Sequence, residues 1–256
     1  MSGAPPDAAF DVVPLDPNLV LGAYAVGVFP MADARDAGSV YWVEPKERAI
    51  LPLDSFHLSH SLKKTLIADR YRVTADTAFP RIIALCAEAA QDRPDTWINT
   101  QIEQVFGTLH NMGFAHSIEV WDGDDLVGGL YGLALGKAFF GESMVSRARD
   151  ASKVAIAWLV ARLRIGGFTL LDCQFMTDHL ASLGAVEISR ADYVGLLTGA
   201  IEGVVGVGAG SVAAGAAGDF SALGRDAPPF ASPLGALIES GPPSGKVIVQ
   251  LLTHTS

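Results

Sequence analysis

"HSIEVWDGDDLVGGLYGLALGKAFFGESM", residues 116–144, decides the fold. Three strand-forming runs, Ser117 to Trp121, Leu126 to Leu135 and Ala138 to Met144, are separated by Asp-Gly-Asp-Asp and Gly-Lys, which are hairpin turn signals. Successive hairpins predict an antiparallel meander. Downstream, "DASKVAIAWLVARLRIGG" (150–167) predicts a helix that Asp150 or Ser152 can cap and that Gly166-Gly167 ends. A strand from Phe168 to Phe175 and a helix from about Thr177 to Leu183 follow. Meander, helix, strand and helix together predict an α+β domain of about 130 to 140 residues, a mixed sheet with helices packed on it.

Upstream, "YRVTAD" (71–76) alternates like a strand, and "FPRIIALCAEAA" (79–90) and "INTQIEQVFGTLHNMG" (98–113) place apolar residues at helical spacing, the second closed by Gly113. "PNLVLGAYAVGVFPMAD" (17–33) predicts a helix from Leu19 that stops near Phe29-Pro30, since proline disfavours helix in the residue before it. Short strands around Tyr41 to Val43 and Ala49 to Leu51 come next, then a helix starting near Ser59. The expected organisation is a small N-terminal domain over 1–56, the mixed-sheet domain over 57–200, and a linker and tail over 201–256. "GVVGVGAGSVAAGAAG" (203–218) offers few side chains to pack and reads as a flexible linker, while "GKVIVQLLTHTS" (245–256) has a short apolar strand pattern that either docks back on the core or forms a simple tail.

The chain has 256 residues, 50% hydrophobic and 18% charged, enough to bury a sizeable core. The first residues lack a basic start and apolar h-region, and no apolar run reaches the roughly 18 residues that span a bilayer, so a cytoplasmic protein without membrane contact is expected. The two cysteines, Cys86 and Cys173, lack the spacing of a zinc site or a disulfide framework and read as packing residues. A net charge of −10 argues against broad electrostatic gripping of nucleic acid. The pairs Lys46/Arg48 and Lys63/Lys64, and the group Arg147, Arg149 and Lys153, read as solvated surface.

"FTLLDCQFMTDHLASLG" (168–184) carries two polar residues inside an apolar strand pattern. Alternation puts Asp172 and Gln174 on one face, roughly 6 to 7 Å apart. A carboxylate among apolar groups must find partners or be neutralised, and such groups mark functional sites. The plainer reading is that the strand end emerges into solvent, with Asp172 capping a backbone amide. Three features favour a site: Glu142 and Ser143 in "FFGESM" (139–144), the "TDH" that follows the pair, and Trp97 in "DTWINT" (95–100). For Trp97 alone, core packing is the commoner explanation.

At these residues the chain resembles the bacterial leucyl/phenylalanyl-tRNA–protein transferases. The stretches that carry the resemblance run in order over about residues 19–198: "AYAVGVFPM", "YWVEPKERAIL", "YRVTADTAF", "DTWINTQIEQVFGTLHNMGFAHSIEVW", "LVGGLYGLALGKAFFGESMVSR", "ASKVAIAWLV" and "LLDCQFMTDHLASLGAVEISRADY". The resemblance implies a small N-terminal domain before an acetyltransferase-like (GNAT) domain. It implies transfer of Leu, Phe or, less well, Met from aminoacyl-tRNA to proteins that start with Arg or Lys, creating a degradation signal. By that match the catalytic residues are Asp172 and Gln174, with Glu142 as a further acid. The pocket for the aminoacyl side chain falls on Leu130, Phe139, Met144, Ile156, Leu159 and Leu171, and the platform for the terminal adenosine falls on Trp97. Met31 stands where the family often has Trp, and the Gly-rich tail departs from the pattern.

The implied chemistry is attack of an α-amine on an activated ester, with Asp172 orienting the amine and accepting its proton and Gln174 fixing Asp172 or stabilising charge at the carbonyl. Glu142 would pair with the cationic acceptor or hold the tRNA 3′ end. A monomer without cofactor or metal is expected. The rivals are an acyl-CoA-dependent N-acetyltransferase and a non-catalytic reader of basic N-termini. The turn "VSRARDASK" (145–153), with no glycine to cradle a pyrophosphate, counts against the first.

Overall fold

The computed structural model describes residues 14–88, 96–202, 217–225 and 243–253. In chain order the elements are α1 (Pro17–Ala25), β1 (Phe29–Met31), β2 (Tyr41–Val43), β3 (Glu47–Ile50), a 3₁₀ turn (Leu53–Ser55), α2 (His60–Ile67), β4 (Arg72–Ala75), α3 (Phe79–Ala87), α4 (Thr100–Asn111), β5 (Ala115–Asp122), β6 (Asp125–Leu135), β7 (Ala138–Ser146), α5 (Ala151–Ile165), β8 (Leu170–Gln174), α6 (Asp178–Ser182), β9 (Val186–Ser189), α7 (Arg190–Ile201), α8 (Ala222–Arg225) and α9 (Gly245–Thr253). The predicted meander is β5, β6 and β7, each antiparallel to the next.

Seven strands form a mixed sheet in the order β4-β5-β6-β7-β8-β3-β9, and β1 and β2 form a separate ribbon. Only β7 and β8 pair in parallel among the described strands, joined through α5. Helices cover both faces, so the sheet has two cores. One holds buried residues of α2, α5 and α9, such as Leu62, Leu159 and Ile248. The other holds residues of α1, α3, α4 and α7, such as Tyr24, Ile82, Phe106 and Tyr193. No helix among the described residues is long and apolar enough to cross a membrane.

Several local readings change. The first helix ends at Ala25, because Gly27 turns the chain at φ +83° and the Phe-Pro-Met that follows pairs with Tyr41 to Val43. The strand Glu47–Ile50, expected in the small N-terminal domain, lies inside the large sheet between β8 and β9, so the sheet takes strands from both sides of the boundary expected at residue 56. Asp150 precedes α5 in a left-handed conformation (φ +61°), and its side chain makes no capping bond. Ser146 Oγ instead accepts from the Ser152 amide at 3.3 Å.

The expected linker falls almost wholly outside the described residues, but the tail beyond it docks. "GKVIVQLLT" is a helix, with Ile248, Val249 and Leu252 buried at spacings of one and four residues, where the run of β-branched residues suggested a strand. It packs on α2 and α5, and Arg164 donates from Nε to Leu53 O at 2.7 Å and from Nη1 to Leu251 O at 2.8 Å. This docking explains why α5 is buried on nearly every side, from Val154 to Leu163. Ile248→Ala should therefore cost about 2–5 kcal/mol in urea unfolding. A loss of less than about 1 kcal/mol would mean that α9 does not cover the core.

Candidate active site

The parallel pairing of β7 and β8 runs through Ala138↔Leu170, Phe139↔Leu171 and Phe140↔Asp172 and stops there. Each strand carries an irregularity just beyond that point. Across β6, Tyr131 faces Ser143 and Gly132 faces Gly141, which leaves Glu142 as an extra residue. Across β3, Ala49 faces Gln174 and Ile50 faces Asp172, which leaves Cys173 as the extra one. Such bulges bend a strand and re-aim its side chains. Here they accompany the turn of Glu142, Asp172 and Gln174 toward Tyr24, Arg48, Tyr193 and one another.

Asp172 is fully buried and saturated with donors. Arg48 Nε donates to its two oxygens at 2.9 and 3.1 Å, and Nη2 donates to Oδ2 at 2.6 Å. The Tyr193 hydroxyl donates to Oδ2 and the Gln174 amide to Oδ1, both at 2.8 Å. The backbone-capping role foreseen for a solvated strand end is thus present, but it is buried. Arg48 itself is 2% exposed, a correction of its reading as solvated surface. Its guanidinium lies 4.7 Å from the Phe29 ring centroid and 4.5 Å from that of Tyr193, and Nη1 donates to Gly27 O at 2.9 Å. Burial pulls the Arg48 pKa down, but the hydrogen bonds and charge of Asp172 outweigh it and leave the guanidinium above its ordinary value. Burial, reinforced by Asp172, raises the Tyr193 phenol.

Gln174 has φ +63°, a left-handed conformation that costs an ordinary residue roughly 1–2 kcal/mol. From it, Nε2 donates to Glu142 Oε1 at 2.9 Å, and the Tyr24 hydroxyl donates to the same oxygen at 2.8 Å. Glu142 Oε2 is buried with no hydrogen-bond partner among the described residues. Burial pushes the Glu142 carboxyl up to about 8; Asp172 adds to the shift, while Tyr24, Arg48 and Gln174 oppose it. Burial together with Glu142 raises the Tyr24 phenol well above its usual range. Cys173 is a poor nucleophile, since burial and the neighbouring Asp172 push its thiol up.

The three polar residues predicted from sequence therefore form one network. The six predicted pocket residues gather on the α5 face, where Leu130, Phe139, Ile156, Leu159 and Leu171 are buried and Met144 packs against them half-buried. In register, Leu130 faces Met144 and Phe139 faces Leu171, one position before Phe140 and Asp172. Trp97 lies with the other core, half-buried, and its carbonyl accepts from the Ala32 amide at 3.0 Å, just after Met31. Sequence reasoning missed Arg48, Tyr24 and Tyr193. The last two carried a signal: Val20/Tyr24 and Tyr193/Leu197 are buried at four-residue spacing on their helices.

Residues 50–198 match the family model of the leucyl/phenylalanyl-tRNA protein transferases, and residues 14–46 match the model of their N-terminal domain. Arg48 falls between the two matches. A Rhizorhabdus wittichii protein named leucyl/phenylalanyl-tRNA–protein transferase is 59% identical over 248 residues, covering 94% of this chain and 99% of that one. Proteins of the same name from Zymomonas mobilis and Novosphingobium aromaticivorans are 62% identical over 187 residues (73% of this chain, 70% of the relative) and 49% identical over 257 residues (94% and 97%). Among solved structures, the crystal structure of FemX is similar with a TM-score of 0.44 at 11% identity, covering 67% of this chain and 66% of that one. With one family model spanning residues 50–198 and close identity over nearly its whole length, the chain belongs to the leucyl/phenylalanyl-tRNA protein transferase family.

Proposed function

We propose that this enzyme transfers leucine or phenylalanine, and methionine less well, from the 3′ end of an aminoacyl-tRNA to the α-amine of proteins that start with Arg or Lys. Family membership supports the reaction class, and the observation that carries the reading is the bridged trio Glu142–Gln174–Asp172 at the parting of β7 and β8. The parting parallel pair suits the acetyltransferase-like architecture that this reading implies. The pocket of Leu130, Phe139, Met144, Ile156, Leu159 and Leu171 takes the aminoacyl side chain. Trp97 offers the terminal adenosine a stacking surface, the sequence-tolerant way to hold a single-stranded end.

In this reading the proton acceptor is Glu142 rather than Asp172, whose oxygens are already committed to Arg48, Tyr193 and the Gln174 amide. The neutral amine attacks the ester carbonyl carbon, and a carbon–nitrogen bond forms. Glu142 Oε2 takes the amine proton and delivers it to the ribose oxygen as the carbon–oxygen bond breaks. A carboxyl raised to about 8 is, once ionised, a stronger base than an ordinary carboxylate, which suits it to take a proton from the attacking nitrogen. Gln174 holds Oε1, which leaves Oε2 for the reaction.

Glu142→Gln should lower kcat/KM for leucine transfer to an Arg-starting peptide by about 100-fold or more, with Leu-tRNA binding little changed. Activity above half of the wild type would exclude Glu142 as the acceptor. The same variant reports the proton through stability. The raised pKa favours the folded state fully below the unfolded value near 4.5, and this contribution is lost as pH rises through about 8. Urea midpoints at pH 5, 6.5 and 8 should therefore shift progressively in favour of Glu142→Gln over the wild type. A constant difference would show that Glu142 titrates normally.

The role of Asp172 as an anchor has a separate test. Arg48→Met leaves a buried carboxylate uncompensated and should cost about 3–5 kcal/mol, whereas adding Asp172→Leu should recover stability. A double variant no more stable than the single one would contradict the pairing.

A further inference from the structure

Residues 217–225 follow the span that the family model matches, yet they are threaded into the domain. The Gly218 amide donates to Gly136 O at 2.8 Å, the Asp219 amide donates to Gly166 O at 2.9 Å, and Arg162 Nη1 donates to the Phe220 carbonyl at 2.8 Å. Two glycines permit the close approach: a Cβ on Gly166 would lie 2.3 Å from Asp219 O, and one on Gly218 would lie 2.6 Å from the Phe168 ring.

This anchoring buries the Phe220 ring to 4% exposure against two other rings. His116 stacks on it at 4.1 Å between centroids and 21° between planes. Phe139 stacks on it at 5.6 Å and 13°. The Arg162 guanidinium lies 5.1 Å from its centroid. Phe139 has little slack elsewhere, since Phe168 meets it edge-on at 6.4 Å and a Cβ on Gly132 would lie 2.4 Å from its ring. How far the Phe139 ring can retreat therefore depends on what stands at position 220.

We propose that Phe220 is a positioning residue for amino-acid selection: by backing Phe139 it sets the depth available to the aminoacyl side chain and weights leucine against phenylalanine. This rests on the reading above that Phe139 and its apolar neighbours receive that side chain. A purely structural Phe220 would affect stability but not the choice between the two substrates. A smaller or more pliable side chain at 220 gives Phe139 room to move away, and the deeper pocket favours the longer phenylalanyl group. Because apolar pockets discriminate by about 10- to 200-fold per methylene, a change of this kind should alter selection by roughly tenfold.

The test uses the full chain carrying Phe220→Leu, Phe220→Met or Met144→Ala, each checked for its melting temperature. Leu-tRNA and Phe-tRNA are donors to an Arg-starting peptide, and the readout is the ratio of kcat/KM for phenylalanine to that for leucine. The ratio should rise about tenfold in both Phe220 variants; the Met variant, close to Phe in volume, keeps the comparison available if the Leu variant does not fold. A ratio unchanged at position 220 but shifted by Met144→Ala overturns the inference and leaves the pocket assignment standing. A ratio unchanged in all three overturns both.

Discussion

The buried pair of Arg48 and Asp172 is the contact on which the site depends. Removing both charges from water carries a desolvation cost that their attraction alone does not repay. The structure offsets it with hydrogen bonds from Tyr193 and Gln174 to the carboxylate and with the Gly27 carbonyl and two aromatic faces around the guanidinium. The pair and its partners come from the turn before β1 and from β1, β3, β8 and α7. The pair therefore holds together segments distant in sequence: 124 residues separate Arg48 from Asp172. Hydrophobic burial would not aim the end of β8 so narrowly, because it has no direction.

Aiming β8 has a chemical consequence. Two carboxylates near each other cannot both stay ionised in a dry site without help, and environment decides which one yields. Asp172 receives the cation, the phenol and the backbone amide. Glu142 receives two neutral donors on one oxygen and, among the described residues, none on the other, and burial, with Asp172 adding to it, raises its pKa to about 8. Gln174 connects the two, with its amide N–H on Asp172 and its side-chain amide on Glu142. The left-handed backbone of Gln174 is what lets one residue reach both, so its strain is spent on coupling the acids.

Much of this was legible in the chain. The meander, α5 and the placement of Asp172 and Gln174 on one strand follow from alternation, turn residues and helical spacing. The bulges at Glu142 and Cys173 were not legible, because an extra residue in a strand is defined by the partner it fails to face. Arg48 was misread for a related reason. In "ERAIL" a charged residue beside Glu47 looks solvated, and only the insertion of β3 between β8 and β9 places it under two rings. Local pattern shows whether a side chain is polar; tertiary pairing decides whether it meets water or a counter-ion.

The tail shows the same limit from the opposite side. "VAIAWLVARL" (154–163) is apolar with little sidedness, and a helix of that kind needs cover on every side. The sheet and α2 cover part of it; the remainder is met by α8 and α9, which follow a stretch poor in packing side chains. A sequence read segment by segment assigns that stretch to a linker and leaves open whether the apolar segment at 245–256 docks or trails. Read together, the uncovered helix requires a partner, and the apolar residues after 217 are available to be it. Once they dock, Arg162 and Arg164 gain carbonyl acceptors in Phe220 and Leu251. The ring stack that begins at Phe220 then reaches Phe139 in β7, three residues before Glu142. Packing outside the matched span is in this way continuous with the apolar core between β7 and α5.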